Sequence, residues 1–274
     1  MTNKPNPPSN DNILLEIAAA TRTRLQEEKR RLPLEELRSK VLSNPRQRRC
    51  LRDIFLTTQQ RFPVIAEVKK ASPSKGDIAA ELDPLTVARD YVANGAVALS
   101  VLTEPKYFKG SLAYLRDIRR ACPDTPILMK DFFVDEYQLY QALDAGADAI
   151  LIIVALLGRE GSRLMLQQAK QLGLSALVEV HDESELLIAT EIGADLIGIN
   201  SRNLKTMEIS LDNILRLLPF VPANAVMIGE SGIKSQQDLI ELKAAGCHGF
   251  LIGTHFMATG EPGKALRDLT LGEL

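Results

Sequence analysis

The chain has 274 residues, 45% of them hydrophobic and 25% charged, with a formal net charge of -2 at pH 7. That length fits one large α/β domain, and the composition is that of a globular protein with a substantial core. The near-neutral balance supplies no global field for nucleic acid or an anionic membrane, so neither is expected as a partner.

Residues 1–11 carry neither an apolar signal core nor the Arg/Ser bias of a transit peptide, and read as a disordered lead-in. Residues 12–56 read as an N-terminal helical extension. Within it, Asn12–Arg30 is a helix with Ile13, Leu14, Ile17 and Leu25 apolar, stopped before Pro33. From Arg22 to Arg52 there are eleven Lys or Arg against four Glu, a local +7 that leaves -9 for the rest. Two readings of this stretch stand: a solvated basic surface, or a segment that draws an anionic substrate toward a nearby mouth.

Beyond residue 57 a phrase recurs. Gly95-Ala96, Gly146-Ala147, Gly193-Ala194 and Gly246-Cys247 each end a helix-like stretch and open an apolar run, at spacings of 51, 47 and 53 residues. Midway between them lie Val64–Val68, Ile127–Met129, Ala176–Val180 and Val226–Ile228. The two sets interleave into eight short buried strands near 64, 98, 127, 149, 176, 196, 226 and 250. Helices are expected at Leu85–Ala93, Leu112–Ala121, Tyr137–Leu143, Arg163–Leu172, Glu183–Glu191 and Gln236–Ala244. Apolar strands alternating with amphipathic helices predict a single (β/α)8 TIM barrel over 57–274, forming one structural domain with the extension. A doubly wound open sheet would want a G-x-G-x-x-G turn after the first strand, which Lys69–Gly76 lacks. The longest apolar run, Ala149–Leu157, is nine residues, far short of the ~20 of a spanning helix, and the expected location is the cytoplasm. Cys50, Cys122 and Cys247 form no Cys-x-x-Cys pair and are expected as reduced thiols. The chain ends soon after the eighth unit, so no fused neighbour is expected.

In such a barrel the chemistry sits at the C-terminal ends of the strands. The first ends Glu67-Val68-Lys69, the third Lys130-Asp131, the fifth Glu179-Val180, the sixth Asn200-Ser201-Arg202 and the seventh Glu230-Ser231-Gly232. One terminal charge is a side chain reaching for solvent. Two lysines and three glutamates converging on one rim compensate one another and mark an active site. Gly232 and Gly253-Thr254, after the last two strands, stand where barrels hold phosphate on backbone N–H groups. Ser72-Pro73-Ser74-Lys75-Gly76 is a loop by its turn residues, read as a flap that brings Ser72 and Pro73 to the substrate. His181, His248 and His255 have no carboxylate at metal-ligand spacing. They are expected as surface or supporting histidines, and no metal is expected.

Several blocks resemble the indole-3-glycerol-phosphate synthase family. They are Ile65-Ala66-Glu67-Val68-Lys69-Lys70-Ala71-Ser72-Pro73-Ser74-Lys75-Gly76, Leu102-Thr103-Glu104 with Tyr107–Ser111, and Lys130-Asp131-Phe132. Glu179-Val180-His181, Gly198–Leu204 and Gly229–Ile233 continue the likeness. The departures are Ser201, Gly229 and Thr254-His255. The resemblance implies ring closure of 1-(2-carboxyphenylamino)-1-deoxyribulose 5-phosphate, with loss of CO2 and water and with no cofactor. It implies Lys130 as the acid, Glu179 as a general base, and Lys69, paired with Glu67, as a second acid. Asn200, Arg202 and Glu230 would hold lysines and substrate hydroxyls, and Ser231, Gly232, Gly253 and Thr254 would cradle phosphate. Phe108, Phe132 and Leu204 would wall the aromatic ring, although a plain core role suits both Phe residues equally. A lysine among cations and apolar walls is expected to have a lowered pKa. Other tryptophan-pathway enzymes are conceivable partners. The rival readings are a Schiff-base aldolase or other phosphosugar barrel using Lys130 or Lys69, and an inactive barrel serving as a scaffold.

Overall fold

The computed structural model describes residues 10–73, 76–78, 81–202 and 208–272. Residues 1–9 of the expected lead-in lie outside them, as does Leu204.

Strand β1 (Val64–Val68), β2 (Ala98–Leu102), β3 (Ile127–Lys130), β4 (Ala149–Ile153), β5 (Ser175–Val180), β6 (Leu196–Asn200), β7 (Val226–Glu230) and β8 (Gly249–Ile252) pair in parallel. β8 returns to β1 through Val64↔Phe250 and Ile65↔Leu251, which closes the sheet into a barrel. Alternation along each strand separates two cores. Ile65, Leu128, Leu177, Leu196, Val226, Ile228 and Leu251 pack together inside the barrel. Val64, Ala66, Leu99, Met129, Val178 and Ile199 face the outer helices. Two residues on from the inward Ile65, Leu128, Leu177 and Ile228 come Glu67, Lys130, Glu179 and Glu230, which therefore also point inward, at the wide end.

Helices α1 (Asn10–Arg31), α2 (Leu34–Ser43) and α3 (Leu51–Thr57) precede the barrel. α1 begins two residues before the expected start, and Pro33 separates it from α2. Leu25 and Leu37 pack on Tyr137 and Tyr140. Arg24 pairs with Asp131 at 3.1 Å and Lys29 with Asp135 at 2.7 Å, which hold α1 against the C-terminal end of β3. α3 sits at the opposite end, where Leu51 and Phe55 join the inner core.

The basic stretch therefore divides between the two ends. Arg46, Arg48 and Arg49 bond to Asp148, Gly173 and Pro123, in loops that precede strands at the closed bottom. Those three cations face away from the mouth, so the reading of a basic segment steering substrate does not apply to them.

The barrel helices are α4 (Pro84–Ala93), α5 (Leu112–Ala121), α6 (Tyr137–Ala145), α7 (Val154–Gln171), α8 (Glu183–Glu191), α9 (Asp212–Leu217), α10 (Gln236–Ala245), α11 (Thr254–Met257) and α12 (Pro262–Leu271). α6 and α10 end on Gly146 and Gly246 in the left-handed region (φ 90° and 118°), as the recurring phrase requires. Within α7, Gly158 (φ 61°, ψ -174°) is non-helical and kinks the chain between a short leading turn and the main helix, which begins before the expected Arg163. Ala71–Ser72 and Gly76–Asp77 form a two-residue antiparallel pair after β1, and residues 74–75 of that loop lie outside the description. No described helix is long and apolar enough to cross a membrane.

Candidate active site

A cavity of about 380 Å³ opens at the C-terminal ends of the strands. Glu67, Lys69, Lys130, Glu179, Asn200, Arg202 and Glu230 line it, as do Ser72, Pro73, Phe108, Phe132, Ser231, Gly232, Gly253 and Thr254. The strand register brings the polar set to one level. Asn200 pairs with Glu230, Lys130 with Leu102, and Glu179 with Ile153, all at or next to a strand's last residue.

Lys130 is the hub. Its Nζ lies 2.9 Å from Oε2 of Glu230, 3.7 Å from Oε2 of Glu67 and 3.8 Å from Oε2 of Glu179. The expectation of a lowered lysine pKa is corrected by this geometry. Burial pushes the ammonium down, but Glu230, Glu67 and Glu179 more than offset it and carry Lys130 well above the ordinary lysine value. An amine held this firmly protonated is a poor nucleophile, which counts against the imine-forming reading.

The three carboxylates diverge. Burial opposes ionisation of Glu67, yet Lys69, in direct contact, and then Lys130 hold it below the usual range. Burial likewise opposes Glu179, and the partners that win there are His181, Lys130 and Asn200. Glu230 goes the other way: burial raises it, Lys130 resists, and the negative charges of Glu179 and Glu67 add to the rise. Its Oε1 is buried without a hydrogen-bond partner among the described residues, packed over Gly198. A Cβ at position 198 would collide with that oxygen, so Gly198 is what lets Glu230 enter the barrel.

The rest of the lining is built by local turns. Ser231 (φ 64°) and Gly232 (φ 81°) are both left-handed, a strained setting for serine that Ser201 steadies by donating its hydroxyl to Ser231 O at 2.9 Å. Gly253 leaves no room for a side chain because Glu67 fills that space, and the short α11 follows it. Phe108 and Phe132 meet with ring centroids 5.8 Å apart, tilted by 38°. Both are only partly buried and face the cavity, whereas the neighbouring Phe133 is the core residue. Phe108 is set by Glu104, a buried carboxylate that accepts the backbone N–H groups of Lys106 (3.0 Å), Tyr107 (2.6 Å) and Phe108 (3.1 Å).

Several residues went unseen in the sequence. Ile13, Leu14 and Ile17 of α1 line the cavity, so the extension contributes to the site. Their apolar spacing was visible, but not what it faced. Lys234 and His255 also reach the lining. Of the two roles expected for His181, surface or supporting, the structure gives the second: its side chain is 8% exposed, between Glu179 and Glu185. Burial would lower its pKa, but the two carboxylates push it up to about 10. The spacing Glu179-x-His181-x-x-x-Glu185 was the available signal.

Comparison with known proteins follows the same lines. A family model described as indole-3-glycerol phosphate synthase matches residues 14–269. The chain is 44% identical over 258 residues to an indole-3-glycerol phosphate synthase of Acidithiobacillus ferrooxidans, covering 94% of this chain and 98% of that one. It is 43% identical over 257 residues to one from Campylobacter jejuni, covering 94% and 99%. Among solved structures, 3-hexulose-6-phosphate synthase from Salmonella typhimurium matches with TM-score 0.62 at 15% identity, covering 76% of this chain and 97% of that one. Thiamine phosphate pyrophosphorylase from Pyrococcus furiosus matches with TM-score 0.59, also at 15% identity, over 77% and 94%. At that identity the structures speak for the barrel alone.

Proposed function

The chain belongs to the indole-3-glycerol phosphate synthase family, and from that premise we propose how its cavity residues divide the work. The enzyme is a carboxy-lyase acting on a phosphorylated small molecule. It closes the ring of 1-(2-carboxyphenylamino)-1-deoxyribulose 5-phosphate, with loss of CO2 and water.

Ring closure begins when the aromatic carbon bearing the carboxylate attacks the ketone carbon. Negative charge develops on the carbonyl oxygen, and Lys130 delivers a proton there. Its high pKa keeps that proton available throughout the working pH range. Loss of CO2 returns the bonding pair to the ring and needs no electron sink, so the chemistry calls for no organic cofactor. In the last stage the new hydroxyl leaves as water on a proton from Lys69, and Glu179 takes the proton from the adjacent carbon to complete the indole. Glu67 holds Lys69, while Asn200 and Glu230 orient Glu179 and Lys130. Arg202 and the Ser72-Pro73 turn contact the substrate, and Phe108 and Phe132 take the aromatic ring. Ser231, Gly232, Gly253 and Thr254 hold the phosphate. The observation that carries this assignment is the lysine ammonium inside three glutamates at the inner end of an otherwise largely apolar cavity.

We also propose that the extension over 12–56 and the barrel over 57–274 act as one domain in the cytoplasm. The contacts of Leu25, Leu37 and Arg24 with the barrel support the single unit. The overall charge of -2 favours no nucleic-acid or membrane partner, and docking to other enzymes of tryptophan synthesis suits an enzyme whose substrate and product are both passed along. The test is to incubate the purified chain with the aryl-amino ketose phosphate and follow indole fluorescence with and without EDTA. Indole formation that chelation leaves unchanged is expected. Absence of product would overturn the assignment, and loss on chelation would overturn its cofactor-free part.

A further inference from the structure

The end of β5 carries a feature that the reaction scheme leaves unused. His181 does not line the cavity, yet it is buried directly behind Glu179. Its Nε2 lies 3.2 Å from Oε1 of Glu179, and its Nδ1 lies 3.0 Å from Oε2 of Glu185. The same Glu185 oxygen accepts the His181 backbone N–H at 2.8 Å. A neutral imidazole owns one N–H and would turn a lone pair toward one of these two carboxylates, whereas an imidazolium presents an N–H and positive charge to both. The neighbouring groups favour the cation. Asp182, at the N-terminus of α8, adds negative charge and is occupied by Ser184 and the Glu185 N–H. From α9, the neutral Asn213 donates to His181 O at 3.0 Å. On the far side of Glu179 stand Lys130 and, from β6, Asn200.

We infer that His181 is a positioning residue: an imidazolium anchored on Glu185 that aims the Glu179 carboxylate into the cavity and keeps it ionised. This rests on the reading of Glu179 as the base. The Nε2 contact falls short of a good hydrogen bond, so its hold on Glu179 is chiefly ionic. His181 meets the substrate only through Glu179. Removing it therefore changes how Glu179 titrates rather than how the substrate binds.

The decisive variant is His181→Gln, which keeps one donor and removes the charge. Its kcat is expected to fall about tenfold to a hundredfold with KM within about threefold, the pattern for an outer partner of an active group. The acid limb of its kcat profile is expected to move up by about one to three pH units, the scale on which a nearby opposite charge holds a carboxylate down. A limb that stays in place overturns the inference, whatever happens to kcat. The wild-type enzyme supplies a second test that does not depend on the variant folding. Nuclear magnetic resonance of 15N-histidine enzyme at pH 8 should show one imidazolium, because His248 and His255 are both held below the ordinary histidine value. Three neutral rings at that pH overturn it. Glu179→Gln separates this inference from the one beneath it. Turnover retained there removes the base, and the positioning role with it. Turnover lost there, together with an unmoved limb in His181→Gln, overturns the positioning role alone.

Discussion

Replacing Lys130 by Met tests the hub of the site in two independent ways. The Met side chain keeps the length of the lysine stem but leaves Glu67, Glu179 and Glu230 facing one another around an uncharged centre. Those three carboxylates lie 2.9–3.8 Å from the lost Nζ and are almost fully buried. Breaking a buried charge pair by deleting one partner costs about 3–5 kcal/mol. Here part of that cost is avoided because a glutamate takes up a proton, and Glu230, already raised, is the one to do so.

The sign follows from that protonation. A carboxyl whose folded pKa stands above its unfolded value makes the folded state bind more protons, so stability falls as pH rises between the two values. Below the unfolded carboxyl range the effect vanishes. Above it the variant loses about 1.4 kcal/mol per pH unit; wild type shares that slope until its own Glu230, raised to about 7, gives up its proton, so the gap widens by about 1.4 kcal/mol from pH 6 to pH 8. Urea unfolding at the two pH values measures this, and the rise of indole fluorescence measures turnover, which should drop about 10²–10⁴-fold with loss of the acid. A stability gap that does not change with pH would refute the account of the three buried glutamates. Turnover within tenfold of wild type would refute Lys130 as the acid.

Gly198→Ala drives a methyl into the Glu230 carboxylate, so the 2.9 Å contact with Lys130 is lost. Overpacking of this kind costs about 1–3 kcal/mol, and kcat should fall at least tenfold; an unchanged kcat would show that Glu230 need not stand where it does. Asp148→Asn disturbs the closed end of the barrel, where the fully buried carboxylate accepts from Arg46 at 2.7 Å, Ile127 N at 2.9 Å and Arg49 N at 3.1 Å, and also binds Arg119. Thermal unfolding should show a loss of about 3–5 kcal/mol with kcat at 25 °C untouched, whereas a large fall in kcat would contradict the division of the barrel into a stabilising end and a chemical end. Phe108→Ala removes one ring of the aromatic pair at 5.8 Å. Its KM should rise about tenfold with a smaller change in kcat, and an unchanged KM would remove the ring-binding role.

How much was legible in the sequence depends on the range of the interaction involved. The eight strands followed from periodicity and from glycine punctuation, because alternation and helix termination are set within a few residues. The inward aim of Glu67, Lys130, Glu179 and Glu230 followed from the same alternation, since each stands two positions beyond an inward apolar residue. Other features are relations between segments far apart in the chain. The elevated pKa of Lys130 depends on carboxylates from three other strands. The contribution of Ile13, Leu14 and Ile17 depends on α1 being held across the mouth by Arg24 and Asp131, which are 107 residues apart in sequence. Local spacing decided which side chains face the barrel axis. Only closure of the barrel decided which charges they meet there, because charges act over ångströms of space rather than positions along a chain.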